Sequence, residues 1–173
     1  MPTQSNALAL SRPLLRALIV LNLLYAAGIA LMFVASLVAA DTIFDALGVQ
    51  QGNHRPQLVM GMRAIMLLGI AAAGVVDRML RQLLAIVDSV RAGDPFVAGN
   101  ARRLHTIACY VLAGEVLRLM IGTVVWAAST QAQALDLEVG FSLAPWLAVL
   151  LLFVLARVFD EGARMRADLE GTV

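Results

Sequence analysis

Lysine is absent: all 13 basic residues are arginine, set against 12 acids. The single cysteine, Cys109, excludes an internal disulfide. The two histidines, His54 and His105, offer no zinc-ligand spacing, and neither a glycine-rich phosphate loop nor a GxSxG elbow occurs. Charge is scarce as well. Only 14% of the chain is charged, where a soluble domain carries about a quarter. The net charge of +1 gives no reason to expect direct contact with nucleic acid. What is abundant is hydrocarbon, with 61% of residues hydrophobic and a mean hydropathy of +0.84. A chain of 173 residues can supply four bilayer crossings of about 20 residues each. It leaves no room for a separate soluble catalytic domain.

Residues 1–11 read as a short polar tail without periodicity. Four apolar stretches follow, at 17–40, 58–76, 106–128 and 141–158. The first runs 24 residues without a charge, longer than the 7–15 residues of a signal-peptide core, and so reads as an uncleaved span. The fourth is uncharged only as far as Ala156 and reaches Val158 if Arg157 extends its side chain to the interface. Continuous runs rather than alternating ones predict helices, which satisfy their own backbone hydrogen bonds in lipid. The expected fold is all-α: one membrane domain, 1–173, of four transmembrane helices.

Arginine placement gives the expected orientation. Arg12, Arg16, Arg78, Arg81, Arg91, Arg102, Arg103, Arg164 and Arg166 fall on one side, and only Arg55 on the other. A bias of this kind predicts both termini in the cytoplasm of a bacterial inner membrane. Trp126 and Trp146 flank the opposite short loop, where amphipathic rings favour headgroup level.

On the cytoplasmic side the segment 77–103 carries Leu80, Leu83, Leu84, Val87 and Val90 at helical spacing, so the second helix is expected to continue past its span. Gly93-Asp94-Pro95 should end it. The apolar stripe either packs on a neighbour or in the headgroups, or offers a docking face. The tail 159–173 pairs opposite charges at helical spacing, Glu161 with Arg164 and Arg164 with Asp168. It reads as a solvated helical stub or as part of the same docking face. Candidate contacts at the corner are Asp94, Pro95, Phe96, Asn100 and Arg103; in the tail they are Arg164, Asp168 and Glu170.

Ionisable residues inside spans cost free energy and normally face the bundle interior. Glu115 and Arg118 share one helical face, Arg63 lies near the far end of the second span, and Asn22 interrupts the first. Together they form an expected intramembrane polar cluster. Its two readings are a clamp that fixes helix register and a proton or ion pathway. His105 and Cys109 also share a face, but two ligands do not make a metal site, and neither metal nor cofactor is expected. Gly69-x-x-x-Ala73 permits close helix approach, within the chain or to a second copy.

The corner Gly93-Asp94-Pro95-Phe96 with Asn100 and Arg103-Leu104, and the ending 151–156 through 168–173, resemble a family of bacterial four-span membrane proteins, domain of unknown function 2975. The likeness covers roughly residues 12–173. Members are commonly encoded beside a small Cro/CI-type helix-turn-helix protein. The resemblance implies the membrane half of a regulatory pair, whose small partner contacts DNA, and it carries over no catalytic residue. The expected function is therefore a non-enzymatic membrane regulator binding that partner. The alternatives are a small transporter or channel subunit using the Glu115, Arg118 and Arg63 cluster, and a structural subunit of a membrane complex.

Overall fold

The protein is described by a computed structural model covering residues 3–48, 52, 54–93, 97–129 and 142–170. It consists of helices α1 (Thr3–Val38), α2 (Ala40–Ala46), α3 (Arg55–Arg91), α4 (Ala98–Ala128) and α5 (Ala144–Glu170), with no strand among the described residues. The all-α expectation holds. The N-terminal segment is helical from Thr3 rather than an irregular tail. Ala7, Leu8, Ala9 and Leu10 are strong helix formers, and the helix passes through Pro13 in spite of the lost backbone donor. α1 stops at Ala39, whose φ −129° and ψ 54° are not helical, and α2 restarts at once.

Among the described residues, three helical segments are long and apolar enough to cross a membrane: Ser11–Val38, Arg55–Arg91 and Gly99–Ala128. The expectation of four is corrected to three by this measure. α5 is 27 residues long, but its uncharged part within the helix covers only 144–156, and Arg157, Asp160 and Glu161 follow. A crossing needs about 20 predominantly apolar residues.

Lipid explains what water could not. Only 6% of the apolar window of α1 is buried within the chain. Leu14, Leu21, Leu24, Leu31 and Val34 stand out along one broad face of it. A soluble monomer does not leave apolar surface of that extent uncovered, whereas lipid tails solvate it as well as another helix would.

The chain divides into two compact units. The first takes Met1–Asn22, Val75–Ala113 and Ser142–Val173; the second takes Leu23–Gly74 and Gly114–Phe141. In the first, Leu15 and Ile19 of α1 bury against Leu80 of α3, flanked by Leu84 and Val87. α3 continues to Arg91 as its apolar spacing predicts, and Gly93, at φ +88°, takes the left-handed conformation that ends it. In the second unit Phe44 of α2, fully buried, packs with Leu58 and Met66 of α3. Here the close helix approach falls at Gly61, where an added Cβ would collide with that of Ala128. At Gly69 the nearest atom, Ile29 Cδ1, lies at an ordinary 3.5 Å. The small residue that the packing demands is thus eight positions earlier than the Gly69–Ala73 pair suggests.

Candidate functional site

Glu115 and Arg118 meet as their spacing predicts. Arg118 Nε donates to Glu115 Oε2 at 2.9 Å and an Nη to Oε1 at 2.5 Å, a two-pronged pair within one turn of α4. The Glu115 side chain is 4% exposed and that of Arg118 33%. Burying a charged carboxylate is costly unless it is paired, and the fork geometry of arginine satisfies both oxygens. Arg63 does not join them. Its Nε donates to Ser36 Oγ at 3.3 Å, an Nη donates to the Ser36 carbonyl, and the guanidinium lies 5.7 Å from the centre of the Phe44 ring. Ser36 sits in the last turn of α1, where carbonyls lack helical partners and the helix dipole favours a cation. Arg63 therefore ties α3 to the end of α1. Of the expected cluster, Glu115 and Arg118 form a same-helix pair and Arg63 a separate helix-end clamp. Asn22 is half-buried on α1.

At the corner, Asn100 is fully buried. Its Nδ2 donates to Ser89 Oγ at 2.7 Å, and its Oδ1 accepts from Arg103 Nη1 at 2.8 Å. Arg103 also reaches the Ala85 carbonyl at 3.4 Å, and Ser89 Oγ donates to the Ile86 carbonyl. This network holds the start of α4 against the last turns of α3. Asn100 and Arg103, expected as docking contacts, face inward as a latch. The stripe is also used internally: Leu80, Leu84 and Val87 cover Leu15 and Ile19. Beside them Arg12 Nε lies 3.1 Å from Asp88 Oδ1, an ion contact without hydrogen-bond alignment. Asp94, Pro95 and Phe96 lie outside the described residues.

The tail differs. Arg164 pairs with Asp160 at 2.9 Å, not with Glu161. An acid four residues before a base is the more favourable arrangement on a helix. Val158 is 56% and Met165 57% exposed. Asp168 is exposed on the same helix, while the side chain of Glu170 lies outside the described residues. His105 tilts against Phe153 of α5, ring centres 4.9 Å apart, and the Cys109 thiol is exposed. No group of three or more metal-ligating side chains occurs among the described residues.

Two tethers escaped the sequence reading. Arg55 binds Asp45 at 2.6 Å and Asp41 at 3.1 Å, fastening α2 to the first residue of α3. Gln57 Nε2 donates to the Ala127 carbonyl at 2.7 Å, which closes the open end of α4. Separations of 10, 14 and 70 residues leave no helical periodicity to betray them.

No curated protein and no solved structure matches the chain. A family model does, over residues 3–173, which takes in the buried latch, the Glu115–Arg118 pair and the tail alike. The chain therefore belongs to the family described as "Protein of unknown function (DUF2975)".

Proposed function

We propose that the chain is a bacterial inner-membrane protein with both termini cytoplasmic. It acts without catalysis of its own, by holding a small helix-turn-helix protein against the membrane. α5 completes an even number of crossings by drawing Arg157 to the interface. Leu147, Leu150, Leu151 and Val154 of α5 are left exposed by the described residues, which favours hydrocarbon around this helix. The nine-to-one arginine bias favours the cytoplasm for both ends.

One observation carries the partner reading: α5 runs unbroken from its apolar half into a charged tail that keeps Val158 and Met165 exposed. Apolar side chains set among Arg164, Asp160 and Asp168 are the composition of a helix face awaiting a partner. Most of the corner stripe is already occupied, with Leu83 left exposed, so the tail offers the larger open surface. The test is co-purification of the adjacent gene's product with the full chain and with a chain ending at residue 158. The tail-less chain is expected to lose the partner; equal recovery by both removes the tail from the proposal.

A further inference from the structure

The α4–α5 face of the first unit holds a cleft of about 630 Å³. Arg102 and His105 of α4 stand on one side, Arg157 and Asp160 of α5 on the other, and Phe153 and Ala156 form the floor. Ala156 is buried, and its small side chain leaves the space open. The contact of His105 with Phe153 bridges the two helices.

Charge within the cleft is unbalanced. Asp160 Oδ2 pairs at 2.9 Å with Arg164, which lies outside the lining, so the lining sets two arginines against one acid that is already paired. Arg102 and Arg157 are both exposed, and neither guanidinium has a partner among the described residues. Arg81, Arg118 and Arg164, by contrast, each close on an acid three or four positions earlier in their own helix. Two unpaired arginines facing one hollow, with a ring N–H from His105 beside them, make a site for an oxyanion.

The position of the cleft narrows the choice of anion. Arg157 follows the uncharged residues 144–156 of α5, and Arg102 and Arg103 precede the uncharged residues 104–114 of α4. Both helices thus pass from charged to uncharged residues at the cleft, which lies at headgroup depth when α5 crosses the bilayer as proposed above. Immediately along α5, Leu150 and Val154 are exposed and can lie against an acyl chain. We propose that this cleft binds the phosphodiester headgroup of an anionic phospholipid. Arg102 and Arg157 grip the phosphate oxygens, and the lipid tail runs along α5. Basic pockets between membrane helices recognise lipids in this way. The site rests on the bilayer placement of α5 proposed above and not on the helix-turn-helix partner.

The test uses the full chain purified in detergent, exposed to dioleoyl phosphatidylglycerol or dioleoyl phosphatidylcholine, with retained lipid counted by native mass spectrometry. The wild type is expected to keep phosphatidylglycerol preferentially. Arg102→Gln and Arg157→Gln, measured singly, should each reduce that preference about fivefold. The double variant should bind the two lipids equally while melting like the wild type without lipid. A wild type without preference, or a preference that survives in the singles and the double, overturns the proposal. A third arm adds millimolar inorganic phosphate. Failure to displace the lipid supports a headgroup site, whereas displacement by phosphate alone reassigns the cleft to a free phosphate and overturns the lipid reading.

Discussion

α3 and α5 leave their apolar runs in the same way and end in different situations. Each has an aspartate just past the run and an arginine four residues later, Asp77 with Arg81 and Asp160 with Arg164, and each keeps apolar residues at helical spacing beyond. On α3 most of those residues are taken up, Leu83 excepted. Leu80 is 8% exposed beneath Leu15 and Ile19, Asp88 meets Arg12, and Ser89 receives Asn100. On α5 Val158 and Met165 remain open. An amphipathic extension states that a face needs covering and not what covers it. α1 supplies the cover for one extension, and no described residue covers Val158 and Met165 on the other.

The largest expected effect comes from emptying the covered side. Leu80→Ala should lower stability by about 2 kcal/mol, the lower end for a buried leucine because the cluster is small, while Met165→Ala should stay within about 0.5 kcal/mol of wild type. Thermal unfolding in detergent followed by circular dichroism compares the two, and equal losses would erase the distinction between the extensions. Next comes the latch. Asn100→Ala leaves the Ser89 hydroxyl and the Arg103 fork without their partner and should cost about 1–3 kcal/mol, read from the same melts. Arg12→Gln, at a half-exposed pair, should cost only about 0.2–1 kcal/mol, fading as salt is added. The smallest effects separate the matched ion pairs. Asp77→Asn should lower the melting temperature slightly more than Asp160→Asn at low ionic strength, because the Asp77 side chain is 16% exposed against 49% for Asp160. A larger effect at Asp160 would reverse the ordering.

The sequence showed whatever is local. Helical spacing placed Glu115 beside Arg118, the stripe carried α3 to Gly93, and apolar length marked the helices that can cross. What it hid depends on which helix faces which. Arg63 was expected with Glu115 and Arg118, and only the register of α1 on α3 selects Ser36, 27 residues away. Asn100 looked like a polar corner residue open to a partner, because nothing local announces the hydroxyl of Ser89 opposite. The fourth span failed the length criterion for the same reason that makes its tail interesting: charge begins at Arg157, before an ordinary crossing is complete. The N-terminal helix was missed because polar composition was read as irregularity, although the propensities of Ala7 to Leu10 favour a helix.

The contrast between the two extensions, and the side on which they emerge, can be measured together. Cysteine is introduced by Leu80→Cys or Met165→Cys in a Cys109→Ala background, and a membrane-impermeant maleimide is applied to inside-out vesicles and to intact spheroplasts. The account predicts rapid labelling of the Met165→Cys protein in inside-out vesicles only, with the Leu80→Cys protein protected until it is unfolded. Labelling of the Met165→Cys protein in intact spheroplasts, or equal labelling of both positions in the folded protein, would contradict it.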